Sequence, residues 1–149
     1  MNKTIYSKLF DKEVTLSVYQ DQSQNNEDVS RRIDESINAF LRIDTSNLQI
    51  IKSEIWKHYN TCMVNIGYGC VPDELIEEHG NTKANQIYFG CFDEECTYKK
   101  AKLTEVYFHD FETETSYCSV FFDIPWEDEH GFAVHFKDSE IDSFTKKNG

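Results

Sequence analysis

Apolar and polar residues alternate over a stretch near the C-terminus, between Tyr117 and Phe136. Alternation with a period of two is typical of β-strands, so the pattern predicts one strand over 117–124 and another over 132–136. Pro125 has no backbone N–H to donate to a strand ladder, and we expect it to end the first strand. We call the residues between the two strands the acidic corner: Trp126-Glu127-Asp128-Glu129-His130-Gly131.

Shorter alternating patterns predict strands elsewhere in the chain. Residues 4–20 are expected to form a hairpin whose turn lies at Asp11-Lys12. Three more strands are predicted, over 87–89, over 103–109 and around Ile141. Strands at both ends of the chain and helices between them are typical of an α+β fold.

Apolar residues spaced three and four apart predict two long helices in the middle of the chain. The stripe of the first runs over 29–41, and Asn25 or Asn26 is expected to cap it. The second begins at the capping-box pattern Ser46-x-x-Gln49 and is expected to end near Gly67. Pro72 and Gly80 bracket a short third helix. Each long helix has a one-sided stripe, so we expect a mainly antiparallel sheet with both long helices packed on one face.

Composition and charge narrow the class of protein. The 149 residues are 39% hydrophobic and 14% aromatic, which predicts a single folded domain over 1–149. Fifteen basic residues against 27 acidic ones give a net charge of −12, which disfavours nucleic acid and anionic membranes and favours a basic partner. We find no membrane-length apolar run and no signal-peptide core, and five cysteines suggest reduced thiols, so a cytoplasmic protein is expected.

The cysteines and histidines form no recognisable catalytic or metal motif. Cys62, Cys70, Cys91 and Cys96 offer four thiols, but Cys91-x4-Cys96 does not have the spacing of a zinc knuckle. Cys62 also falls on an apolar stripe, as does Cys118, and there cysteine behaves as a small hydrophobe. We therefore expect metal-free thiols, assign no cofactor or catalytic residue, and do not favour an enzyme.

The acidic corner allows two interpretations. Asp123, Glu127, Asp128 and Glu129, with His130, can offer hard ligands to a divalent cation, and this would also suit a metal-assisted enzyme. In the structural interpretation, which we favour, Trp126 packs at the edge of the core. Glu129 or His130 then bonds backbone groups near Pro125, and Gly131 adopts a positive φ.

The motif Trp126-Glu127-Asp128-Glu129-His130-Gly131, followed by the strand from Phe132, resembles a family of small bacterial domains of unknown function. Those domains end in strand, W-[DE]-x-E-H-G, strand, and they look like immunity proteins of bacterial toxin systems. The resemblance implies a small acidic protein that inhibits a toxin in the cytoplasm, and it implies no catalytic residues.

Two acidic clusters are candidates for contact with such a basic toxin, for example a nuclease. Both fall in predicted turns after strands, where carboxylates can face a partner. Their residues are Asp93, Glu94 and Glu95 in the first cluster and Glu127, Asp128 and Glu129 in the second. The alternative function is the metal-assisted enzyme or divalent-cation site at Asp123–Glu129.

Overall fold

The computed structural model describes residues 2–19, 27–64 and 71–145, without the side chains of residues 2, 63, 64 and 128–130. In these ranges the chain forms six strands and five helices. The strands are β1 (Asn2–Ser7), β2 (Lys12–Val18), β3 (Lys102–His109), β4 (Tyr117–Ile124), β5 (Glu127–Lys137) and β6 (Glu140–Thr145). The helices are α1 (Glu27–Leu41), α2 (Asn47–Val64), α3 (Asp73–His79), α4 (Asn81–Phe89) and α5 (Glu94–Lys100).

The six strands form one sheet in the order of the chain, β1 to β6. Neighbouring strands are antiparallel except β2 and β3, which pair parallel with Leu16 opposite Val106. All five helices lie between β2 and β3 in sequence, as expected for a parallel pair, which needs a long crossover connection. The prediction of an α+β fold with a mostly antiparallel sheet is therefore confirmed, and the sheet is mixed.

The core lies on the sheet face that carries the paired residues Val106, Val120 and Val134, which are all fully buried. Aromatic side chains extend this face. Phe40 of α1 meets Phe108 edge-on, with ring centroids 6.0 Å apart. His58 of α2 meets Phe132 in the same manner at 5.6 Å. No helix in the described ranges has the length and apolar character needed to cross a membrane.

The short helices only partly follow the predictions. Helix α3 lies between Pro72 and Gly80, as predicted. The strand predicted over 87–89 is wrong, because these residues are the last turn of α4, which ends at Gly90 in the left-handed conformation. Three residues are too few to distinguish the period of two residues in a strand from the 3.6-residue period of a helix. Ile87 and Tyr88 are also both exposed, so neither belongs to the core.

Of the predicted ends of the two long helices, only the start of α2 lies in the described residues. Helix α2 begins at Asn47, close to the predicted start, but the Gln49 side chain donates to Glu94 instead of closing a capping box. The predicted caps Asn25 and Asn26 and the predicted stop at Gly67 lie outside the described residues.

Candidate functional site

The acidic corner is a tight connection between β4 and β5. The turn is Pro125-Trp126, and β5 begins at Glu127, which pairs with Ile124. The next aligned pair is Phe122 with Phe132, so one residue of β4 faces four residues of β5 across a bulge. Gly131 lies in this bulge with φ +67°, which agrees with the predicted positive φ. The side chains of Asp128, Glu129 and His130 lie outside the described part of the chain.

Trp126 joins the corner to helix α2. The side chain is only 3% exposed, and its ring meets Tyr59 edge-on with centroids 5.1 Å apart. Its indole N–H donates a hydrogen bond of 3.1 Å to Nδ1 of His58. A buried indole usually finds such a partner, so the position of Trp126 is that of a packing anchor.

Glu127 does not face solvent, although it was expected to belong to an acidic surface. It is 4% exposed, and its Oε2 lies 3.1 Å from Nε2 of His58 and 3.8 Å from Sγ of Cys62. His58 and Cys62 share one side of α2 because they are four residues apart. Strand position 127 points into the core because its partner Ile124 is also buried. We call His58, Cys62 and Glu127 the corner cluster.

The hydrogen bonds of the corner cluster determine where its protons lie. Trp126 donates to Nδ1 of His58, so the proton of a neutral imidazole is on Nε2, facing Glu127. Sγ of Cys62 is 3.7 Å from Nδ1 and 3.9 Å from Nε2 of the same ring. A thiol nearly equidistant from both nitrogens is not aimed at one lone pair, so this is not the arrangement of a nucleophile and its base.

The described members of the ligand sets considered from the sequence do not come together. Among the described residues, three or more metal-type ligands meet only at His58, Cys62 and Glu127. Asp123 is exposed and lies outside this group, and the buried Cys91 and half-buried Cys96 also lie outside it. Cys70 lies outside the described residues.

The first acidic cluster lies on a helix, not in a turn. Asp93 is the N-cap of α5 and accepts the backbone N–H of Cys96 at 2.8 Å, which lowers the pKa of the Asp93 carboxyl. Glu94 accepts from Gln49 and from Ser53 of α2. The neighbouring Glu95 pairs with Lys52 of α2 at 2.8 Å. These bonds hold the first turn of α5 against the first half of α2.

Large exposed apolar side chains lie beside this acidic turn. Phe92, directly before Asp93, is 55% exposed, and Tyr88 at the end of α4 is 48% exposed. Ile50 is 49% exposed and lies in the turn of α2 that bonds Glu94 and Glu95. We call these residues, which lie at the start of α2, at the end of α4 and at the start of α5, the helical patch: Ile50, Ile87, Tyr88, Phe92, Asp93, Glu94 and Glu95.

A second group of polar side chains lies on the sheet face opposite the core. Ser119 Oγ is 2.7 Å from Nδ1 of His135 and 3.4 Å from Nε2 of His109. Nε2 of His135 is 2.6 Å from Oγ1 of Thr145. Burial lowers the pKa of both histidines, and for His135 the nearby His109 adds to the effect. Ser119 is 3% exposed, so it is not an accessible nucleophile.

The sequence alone does not connect His109 with His135, which lie on two different predicted strands. The signal that joins them is the strand register, which sets Tyr107 opposite Ser119 and Ser119 opposite His135. Register depends on the turn and bulge geometry, which the alternation of residues does not reveal.

Comparison with known proteins gives one result. The family described as Domain of unknown function (DUF6985) matches residues 1–147, and the chain belongs to that family. Searches of curated proteins and of solved structures each found no match.

Proposed function

We propose that this member of the DUF6985 family is an acidic binding protein of the cytoplasm, and that it inhibits a basic toxin such as a nuclease in the manner of an immunity protein. The net charge of −12 supports a basic partner, because complementary fields steer the encounter of two proteins. The W-[DE]-x-E-H-G motif at the corner supports the likeness to bacterial immunity proteins.

The helical patch is the observation that carries this proposal. Of the six large hydrophobic side chains that are exposed in the described residues, four belong to it: Ile50, Ile87, Tyr88 and Phe92. Interfaces combine a few buried anchors, often aromatic, with a polar rim that stays partly wet. In the helical patch, Phe92 and Tyr88 supply the anchors and Asp93, Glu94 and Glu95 supply an acidic rim.

The burial of Glu127 changes the composition of the acidic face. A carboxylate that is 4% exposed and paired with His58 offers no rim charge to a partner. The proposed face therefore consists of the first acidic cluster and its apolar neighbours. A contribution from Asp128 and Glu129 stays a prediction.

The proposal also places both long helices on the sheet face that carries Phe108 and Phe132. Phe40 of α1 and His58 of α2 contact these two residues. The outer side of α2, including Ile50, then faces away from the sheet, where a partner can reach it. The opposite sheet face, with His109 and His135, stays separate from the proposed contact.

The test is binding to the toxin domain encoded by the neighbouring gene. We expect Phe92→Ala to weaken the complex about 5- to 30-fold, since an anchor residue contributes roughly 1–2 kcal/mol. Tyr19→Ala is the matched control, because Tyr19 is an exposed aromatic residue (60%) outside the helical patch. A calorimetric titration decides between the outcomes: equal affinities of the two variants, or no binding by the wild type, would overturn the proposal.

A further inference from the structure

We propose that His58, Cys62 and Glu127 bind a zinc ion that joins helix α2 to the corner between β4 and β5. This site is independent of the helical patch and of the binding function proposed for it. It also differs from the oxygen-rich cation site considered from the sequence, because Asp123 takes no part in it. For Cys62 it replaces the expectation of a metal-free thiol.

The chemistry of the three donors selects zinc. Imidazole nitrogen, thiolate sulfur and carboxylate oxygen are the ligands that zinc prefers in proteins, whereas calcium and magnesium take oxygen ligands only. Three protein ligands leave one tetrahedral position for a further ligand.

The distances between the donor atoms match the dimensions of a tetrahedral zinc site. With ordinary zinc–ligand bond lengths, nitrogen and oxygen lie about 3.3 Å apart, and sulfur lies about 3.5 Å from each of them. In the structure, Nε2 of His58 and Oε2 of Glu127 are 3.1 Å apart. Sγ of Cys62 is 3.9 Å from that nitrogen and 3.8 Å from that oxygen. Small side-chain movements of about 0.4 Å would complete the site.

Burial and charge also fit a divalent cation. Cys62 is 7% exposed and Glu127 is 4% exposed, and a buried carboxylate is costly unless a cation compensates it. One thiolate and one carboxylate together balance the charge of one zinc ion. The His58 side chain is 21% exposed, and the ion would join α2 to the corner through all three donors.

Zinc binding changes the protonation of Cys62 and His58. The thiol proton of Cys62 leaves to solvent, while the neutral imidazole of His58 releases its Nε2 proton and takes up one from solvent at Nδ1, so one proton is released for each zinc ion bound. In the structure the indole N–H of Trp126 donates to this same Nδ1, and two N–H donors cannot share one contact. The indole N–H therefore opposes the ion, and removing it should favour binding.

The experiment uses the full chain stripped of metal with a chelator and then titrated with zinc or cobalt. We expect one zinc per chain by elemental analysis, and we expect the cobalt form to show tetrahedral visible bands and a thiolate charge-transfer band. Cys62→Ser should lose the charge-transfer band, whereas the control Cys91→Ser, which removes a buried thiol outside the cluster, should retain it. The wild-type melting temperature should rise with zinc concentration.

Three outcomes would overturn the proposal. They are wild-type protein that retains no stoichiometric zinc, a cobalt spectrum without thiolate character, and a charge-transfer band that survives in Cys62→Ser. If Cys62→Ser does not fold, Trp126→Phe supplies the second test. We expect it to bind zinc about tenfold more tightly than wild type, since the competing donor is gone. Unchanged or weaker binding by Trp126→Phe would contradict the assignment of Nε2 as a ligand.

Discussion

Replacing Trp126 measures how strongly the corner is held to helix α2. The side chain is 3% exposed, contacts the Tyr59 ring and bonds His58. Trp126→Ala leaves a large cavity and should lower the free energy of unfolding by about 3–5 kcal/mol. Trp126→Phe keeps most of the apolar ring but loses the hydrogen bond, so we expect it to lower the free energy of unfolding by about 1–3 kcal/mol. Against a typical total of roughly 5–15 kcal/mol, the alanine variant loses a large share of the stability.

The assay is urea unfolding followed by far-UV circular dichroism in the presence of a chelator. Circular dichroism is needed because the substitution removes one of the two tryptophans that fluorescence would report. The chelator separates the packing effect from any metal effect. Phe92→Ala serves as the control and should change stability by less than about 0.5 kcal/mol, because Phe92 is 55% exposed. A loss below about 1 kcal/mol for Trp126→Ala would refute the role of packing anchor.

Three further variants test other parts of the fold. The hydroxyl of Tyr59 is buried and has no hydrogen-bond partner among the described residues, so Tyr59→Phe should leave stability unchanged or raise it by about 1 kcal/mol in a urea melt. Gly131→Val should destabilise by about 1–3 kcal/mol, because φ at this position is +67°; a wild-type midpoint would argue against backbone strain. Burial lowers the pKa of His109 and His135 in the folded state. Their contribution to the free energy of unfolding is therefore complete above about pH 6.5, the pKa of an unfolded histidine. It is lost as the pH falls through the lower pKa of the folded state. The double variant His109→Gln/His135→Gln should flatten the dependence of stability on pH below about pH 6.5, and an unchanged slope would contradict this assignment.

The strands were predictable where the periodic signal was long. Strand β4 has the predicted bounds of Tyr117–Ile124, because eight alternating residues are followed by a proline that cannot extend the ladder. Strand β5 starts at Glu127, earlier than predicted, since the corner itself pairs with β4. The segment 87–89 was too short to distinguish a strand from the end of a helix.

The candidate sites were less predictable because they depend on tertiary contacts. The spacing of His58 and Cys62 places them on one side of α2, and this could be read from the sequence. Glu127 lies 65 residues beyond Cys62, and only the turn at Pro125-Trp126 brings it to that helix. Glu127 was interpreted as a surface charge because its neighbours in sequence are acidic. Strand periodicity alone could not reveal the histidine that pairs with it.

The proposed charge attraction at the helical patch is tested most directly by the rate of association with a basic toxin domain as the proposed partner, measured by stopped flow at several salt concentrations. Glu94→Lys and Glu13→Lys change the net charge of −12 by the same amount, and Glu13 is an exposed residue of β2 that is not part of the helical patch. Exposed charges are screened over about 8 Å at physiological ionic strength, so a local effect depends on where the charge lies. We predict that Glu94→Lys slows association and weakens its salt dependence more than Glu13→Lys does. Identical rates and salt dependences for the two variants would contradict a specific acidic face.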